Sequence, residues 1–374
     1  WRDAFHKLAE LLEKSTDKKK VVFIDELSWL DTPKSKFISA LEHFWNSWAT
    51  ARKEQDIVLI VCGSATYWII NNIVNNHGGL HNRLTSQIFL KPFNLNECEK
   101  FCNAKGLNFS QTDIIEGYMV MGGIPYYWNY LNTQYSMSQN VDRLFFGDDS
   151  PLRNEFHSLY YSLYKNPTPH LAILNALGNN RAGLSRKELL EVAKMSDNKT
   201  FATALEELEQ CSFVRKYYAF GKKTKDALFQ LIDNFTLFYY KYILKNEKHN
   251  EAFYTNSINS QTRVVWQGLA FERVCLSHIN QIKQKLGIVG VNSCANSWSV
   301  KANELHDGAQ IDLLIDRDDK TINICEAKYY NDDFVIDSKY AEDLRRKKST
   351  FKVASKTNKT VKLTLITTYG LRKN

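Results

Sequence analysis

The sequence is poor in the features that mark several protein classes. Its 374 residues hold only 6 prolines and 16 glycines, with no internal repeat and no collagen-like, mucin-like or low-complexity stretch. No apolar run reaches membrane-spanning length, the longest being Ile57–Cys62 and Phe235–Leu244. No signal peptide opens the chain, which predicts a cytoplasmic protein without membrane attachment. The 7 cysteines (Cys62, Cys98, Cys102, Cys211, Cys275, Cys294 and Cys325) are odd in number and scattered, which argues against a secreted disulfide framework. Cys98 and Cys102 would share a helix face, but no Cys or His follows at zinc spacing, so all seven read as reduced thiols, mostly core. A nucleophile elbow and a dinucleotide fingerprint are also missing, and a small-molecule metabolic enzyme therefore has little support.

What is present is ordinary in bulk and uneven in detail. Apolar residues make up 44% and charged residues 24%, enough for a sizeable core over two or three domains. The formal net charge is +8, part of it in a C-terminal cluster of Arg345, Arg346, Lys347, Lys348, Lys352, Lys356, Lys359 and Lys362. Such a cluster either attracts a polyanion such as nucleic acid or is a solvated helix face followed by a basic strand edge. The aromatic content (Tyr 19, Phe 21, Trp 8) suits protein interfaces as well as cores.

Hydrophobic periodicity divides the chain. Residues 1–14 form an amphipathic helix pattern with Phe5, Leu8, Leu11 and Leu12 on one stripe. Val21–Ile24 and Asp56–Gly63 are short apolar runs that suit buried parallel strands, separated by an aromatic helix over Phe37–Thr50. A further strand is expected after Arg83, leading into "LKPF", and a helix from Asn96 to Ala104. Helices and loops then run to about Asn166 and include "GGIPYYW" (Gly122–Trp128), which together read as a helical lid. Over Thr168–Leu231, three helices (His170–Leu177, one capped by Ser185 with Glu188, and Asn198–Gln210) precede two strands, Phe213–Phe220 and Ala227–Ile232. That order matches a winged helix-turn-helix. Downstream lie helices over Asp233–Leu244, Val264–Lys285 and Ala341–Phe351, and strands over Gln310–Asp316, Thr321–Tyr329 and Val361–Thr368, a second α/β pattern.

The run "VVFIDE" carries chemistry. A buried strand ending in Asp25 and Glu26 places two carboxylates where open α/β sheets bind ligands. The first can serve Mg²⁺ and the second can orient or deprotonate an attacking water. The next strand ends in Ser64, which suits either a polar residue near a γ-phosphate or the N-cap of the following helix. In order, "FIDE", "GSA", "NRL", "LKPF" and "GGIPYY" resemble the archaeal-type ATPase family, a branch of the P-loop ATPases related to the AAA+ and STAND classes. The resemblance covers about residues 1–165. It implies ATP and Mg²⁺ as cofactors, Asp25 as the Walker B metal residue, Glu26 as the catalytic acid, Ser64 as a sensor and Arg83 as a phosphate-reaching arginine. The chain departs from the family in one large respect: it has no GxxxxGK[ST] loop to cradle the phosphates. Only about twenty residues precede Asp25, and Trp1 already falls in a helical pattern. The expectation is a fragment of a longer product, with ATP binding restored by an upstream segment.

A second constellation lies near the C-terminus. "QIDLLID" and "TINICEAKYY" flank the turn "RDDK", and a hairpin centred on Asp319 would set Asp312 opposite Glu326, with Lys328 on the same face. Glu272, in "GLAFERV" on the preceding helix, is a third carboxylate. Two or three carboxylates with a lysine can hold Mg²⁺, polarise a phosphate and steady a developing charge; the plainer reading is a salt-bridged amphipathic hairpin. The order helix-Glu, strand-Asp, strand-Glu-x-Lys resembles the PD-(D/E)xK nucleases, a domain that the same ATPase family often carries. The resemblance implies metal ligands at Glu272, Asp312 and Glu326, with Glu326 and Lys328 as catalytic residues.

In the winged-helix segment, the recognition helix would expose Asn198, Lys199, Thr203 and Glu206, with Glu207 and Glu209 repelling phosphates. Lys222, Lys223 and Lys225 on the wing are the better phosphate candidates, joined by Lys199, Arg345 and Arg346. The alternative is a structural spacer. The expected fold is α/β with four parts: a partial P-loop ATPase core (1–92), a helical lid (93–166), a winged helix (167–232) and a restriction-endonuclease-like domain (233–374). The expected function is ATP hydrolysis coupled to nucleic-acid binding or Mg²⁺-dependent cleavage. The alternative is a STAND-like signalling or scaffold ATPase with an inactive nuclease-like domain, acting on a protein partner or as a homo-oligomer.

Overall fold

The computed structural model describes residues 1–221, 227–246, 250–304 and 307–372. It falls into two compact units. Unit 1 comprises Trp1–Leu90, Tyr161–Pro167 and Glu206–Cys211; unit 2 comprises Lys91–Tyr160, Thr168–Leu205 and Ser212–Asn374. No helix among the described residues is long and apolar enough to cross a membrane.

Unit 1 is built on α1 (Arg2–Lys14), β1 (Lys20–Ile24), α2 (Leu27–Leu30), α3 (Phe37–His43), β2 (Ile57–Val61) and α4 (Thr66–Ile69). Helix α3 runs on as a π-helical turn over Phe44–Ala49. Strands β1 and β2 pair in parallel, with Val22 opposite Leu59 and Ile24 opposite Val61. Phe5, Ala9, Leu27, Phe37, Leu41 and Phe44 form the core beneath them, and Phe5 stacks on Phe44 at 5.1 Å. Both strands were expected to be buried on both faces. Instead Val22 is buried while Val21, Phe23, Val58 and Ile60 are 61%, 60%, 42% and 46% exposed. A parallel pair has two faces, and the packed cluster covers one of them. The strand expected after Arg83 does not form: residues 85–94 have no regular structure, and Ile88 and Leu90 are exposed.

Unit 2 begins with α5 (Leu95–Ala104), α6 (Gln111–Met121), α7 (Pro125–Trp128) and α8 (Met137–Phe145). Asn94, Ser110 and Ser136 each cap a helix through a reciprocal capping box. Two quoted motifs meet here. Phe93 N–H, in "KPF", donates to Gly123 O at 2.8 Å, and Trp128 Nε1 donates to Gly122 O at 2.8 Å. A Cβ on Gly123 would lie 1.9 Å from Phe93 O, so this approach requires glycine.

Helix α9 (Glu155–Leu163) is followed by α10 (Thr168–Gly178), β3 (Leu184–Ser185), α11 (Arg186–Ala193), α12 (Lys199–Gln210), β4 (Val214–Tyr217) and β5 (Leu228–Leu231). The three strands form one antiparallel sheet in the order β3-β5-β4. Ser185 caps α11 with Glu188, as the sequence predicts. The strand β4 continues as a bridge from Ala219 to Ser297, where Phe220 N–H donates to Ser297 O at 2.8 Å.

Unit 2 ends with α13 (Asn234–Lys241), α14 (Gln261–Ser277), α15 (Ile279–Lys285), β6 (Ser293–Val300), β7 (Ala309–Arg317), β8 (Thr321–Lys328), α16 (Ser338–Ser355) and β9 (Thr360–Thr367). The sheet order is β6-β7-β8-β9, antiparallel except for the parallel β8–β9 pair. One face packs Trp298, Ile311, Leu314, Ile322 and Ile324 with Phe351 of α16. The other packs Leu313, Ile315 and Cys325 with Leu276, Ile279 and Ile282 of α14 and α15. Strand β6 was not anticipated, because "SCANSWSV" has too little apolar alternation to mark a strand.

Candidate functional site

In unit 1, the parallel pair gathers Asp25, Glu26 and Ser64 at its carboxyl ends. Glu26 sits in the left-handed region (φ 47°), an uncommon conformation for a residue with a Cβ. Its carboxylate is held there by two donors from Ser64, the hydroxyl at 2.9 Å and the backbone N–H at 3.2 Å. Asp25 Oδ1 accepts from the Cys62 thiol at 2.6 Å and from Glu26 N–H at 3.0 Å. That bond to Asp25 raises the Cys62 pKa above the usual thiol value. Ser64 was read as a sensor or a helix cap. It does not cap: the N-cap of α4 is Ala65, and no side chain caps that helix. Cys62, read with the other cysteines as reduced thiols, mostly core, touches the first carboxylate. Arg83 lies in an exposed stretch, and among the described residues its side chain makes no ion pair with Asp25 or Glu26. The gathered donors are hard oxygens, which suit Mg²⁺ and an ordered water.

In unit 2, Glu272 comes from the middle of α14 and Asp312 from β7. Both meet a residue that sequence reasoning missed. Arg181, on the turn before β3, forks its guanidinium onto the Glu272 carboxylate and reaches Asp312 Oδ2 at 3.4 Å. Gln310 adds a donor to Asp312 Oδ1 at 2.6 Å. Burial, and then the neighbouring charge of Asp312, push the Glu272 carboxyl up to about 7, against the opposing pull of Arg181.

Glu326 is engaged elsewhere. Its Oε2 accepts from Lys347 Nζ of α16 at 2.6 Å, and Oε1 lies 3.5 Å from Lys328 Nζ. Lys328 also sits over the Tyr340 ring at 5.1 Å. The recorded register sets Leu313 against Cys325, and one further step in the same register would bring Asp312 to Glu326, as the sequence predicts. Two features work against full convergence. The β6–β7 register shifts between Asn296 and Trp298, opposite Asp312 and Leu313. Cys325 packs on the α14 side, so Glu326, one residue on, projects toward α16. Among the described residues, no group of three or more His, Cys, Asp or Glu side chains is placed to hold a metal ion. The expected three-carboxylate centre is thus two ion-paired halves, Glu272 and Asp312 sharing Arg181, and Glu326 held by Lys347 and Lys328. As arranged, these residues do not fit a divalent metal.

The proposed nucleic-acid contacts are dispersed. Lys222, Lys223 and Lys225 lie outside the described residues. Lys199 is exposed at the start of α12, whereas the side chain of Asn198 accepts from Phe201 N–H at 3.0 Å and so is spent on the helix start. Arg345 is exposed, and Arg346 pairs with Asp343 at 2.8 Å.

The fold class is mixed α/β, with a parallel strand pair in one unit and a mixed four-stranded sheet in the other. No protein-family model matches the chain. A Methanocaldococcus jannaschii protein described as uncharacterized is 24% identical over 327 residues, spanning 83% of this chain and 68% of that protein. Among solved structures, a Walker-type ATPase of Pyrococcus abyssi is similar at a TM-score of 0.45 and 15% identity, over 63% of this chain and 66% of that one, just under two thirds. Likenesses this distant assign neither activity nor substrate to this chain.

Proposed function

We propose that unit 1 is the Walker B side of a P-loop-type ATPase. The observation that carries this reading is the pairing of Glu26 with Ser64, beside Asp25, at the carboxyl ends of two parallel strands. Ligands of open α/β sheets bind at such ends. In this reading Asp25 would hold Mg²⁺, directly or through water, and Glu26 would take a proton from the attacking water. Ser64 fixes the carboxylate of Glu26 until substrate arrives. Bound Mg²⁺ would supply charge neutralisation for the phosphates. In the full-length protein, Glu26→Gln should slow ATP hydrolysis by about two to four orders of magnitude, the usual scale for acid–base catalysis. Unchanged single-turnover hydrolysis would remove Glu26 from the chemistry.

Unit 2 fits a nucleic-acid-handling appendage: a winged-helix-like segment followed by a nuclease-like sheet, with exposed cations on α16. The Arg181 and Lys347 ion pairs favour a second reading, in which this sheet keeps the architecture without cleavage and the ATPase acts as a switch on a protein partner.

A further inference from the structure

Cys62 has no part in the chemistry proposed for unit 1, yet it is bonded to the acidic pair at three points. It follows the last residue of β2. Its N–H donates to Ile24 O at 3.1 Å, and its carbonyl accepts from Leu27 N–H at 2.9 Å. Ile24 precedes Asp25 and Leu27 follows Glu26, so the backbone of this one residue brackets both carboxylates. The side chain adds the third tie, the thiol donating to Asp25 Oδ1 at 2.6 Å.

Each acid divides its two oxygens. Asp25 Oδ1 takes the Cys62 thiol and the Glu26 N–H, while among the described residues Oδ2 accepts from no donor. Glu26 Oε2 takes both donors of Ser64, and among the described residues Oε1 accepts from none. A carboxylate without a donor turns about its side-chain torsions, and a ligand that needs one orientation must then select it at a cost in entropy. Fixing one oxygen fixes the direction of the other. Carboxylates that hold metals are held in this way by outer-shell hydrogen bonds. A thiol is a weak and uncharged donor, so it orients Asp25 without neutralising it. Among the described residues, Asp25 and Glu26 make no ion pair, whereas Glu272 and Glu326 are taken up by Arg181 and Lys347.

We propose that Cys62 is a positioning residue of the ATPase site, which acts through Asp25 by keeping Oδ2 free and oriented for Mg²⁺. The inference rests on the Walker B reading of unit 1 and adds to it the group that orients the metal residue. Serine at this position keeps a donor on the same backbone. Alanine removes the donor and leaves Asp25 Oδ1 with the Glu26 N–H alone.

The test is the affinity of the full-length protein for a fluorescent ADP derivative, measured with Mg²⁺ and again with EDTA. The ratio of the two affinities is the gain that the metal supplies. Cys62→Ala should cut this gain by about tenfold, the low end of outer-shell effects, and leave the affinity in EDTA unchanged. Cys62→Val fills similar space without a donor; it should match Cys62→Ala and covers a folding failure of the alanine variant. Cys62→Ser should recover most of the gain, and Asp25→Ala should remove it. A gain equal to wild type in the alanine and valine variants, with Asp25→Ala still removing it, would overturn the role of Cys62 and leave the Walker B reading standing. Affinity lost equally in Mg²⁺ and EDTA would reduce Cys62 to a packing role and overturn the proposal. A wild-type protein without a magnesium-dependent gain, or a gain that survives Asp25→Ala, would overturn the Walker B reading along with it.

Discussion

Asp56 shows how one residue organises the start of unit 1. It accepts Lys20 Nζ at 2.6 Å and a two-point contact from Arg52 at 2.7 and 3.0 Å. The Arg52 and Lys20 hydrogen bonds hold its carboxyl well below the usual carboxylate range. A depressed folded-state pKa stabilises the fold above the unfolded value and loses that stabilisation as pH falls through the folded one. The wild-type melting temperature should therefore drop relative to that of Asp56→Asn below about pH 4. Parallel curves for the two proteins would show that these bonds add no net stability. At this scale the sequence was readable where a residue ends an apolar strand, as Asp25 and Glu26 do. It was silent on the partners of Arg181 and Lys347. Arg181 reaches Glu272 across 91 positions and Lys347 reaches Glu326 across 21, so no local pattern records either contact.

Most helices of the chain were legible from apolar spacing and caps, as Ser185 with Glu188 shows. The parallel order of β1 and β2 was also legible, because the connection between them carries a helix. The edge strand β6 and face burial were not. Strand β6 lacks alternation, and the largely apolar strands of unit 1 bury one face. Whether a second layer covers a strand is decided by distant packing. The meeting of "KPF" with "GGIPYY" is another element-scale result, since the motifs are remote in sequence and joined through backbone. Gly123→Ala should cost on the order of 2 kcal/mol or more in denaturant unfolding, because the new methyl group meets a carbonyl rather than a flexible side chain. A change within about 0.5 kcal/mol would mean that this approach is easily relaxed.

At the scale of the molecule, charge makes the strongest prediction. The net +8 includes exposed cations on α16, among them Arg345 and Lys352. If unit 2 engages duplex DNA through phosphates, the binding constant should fall steeply with salt. Arg345→Ala and Lys352→Ala should each reduce the log–log slope by about one. Binding that is flat with salt, or absent, would favour the protein-partner reading.

The sequence by itself determined the α/β character, most helices, the parallel pair and the placing of Asp25 and Glu26 at a strand end. These follow from short-range apolar periodicity and from the rule that a strand's last residue faces the ligand side of the sheet. Only the tertiary structure decided which cation each carboxylate of unit 2 meets, that Ser64 holds Glu26 rather than capping a helix, and which strand faces are packed. Those outcomes depend on through-space electrostatics and packing between segments far apart in the chain, where Coulomb attraction and burial follow distance rather than sequence order.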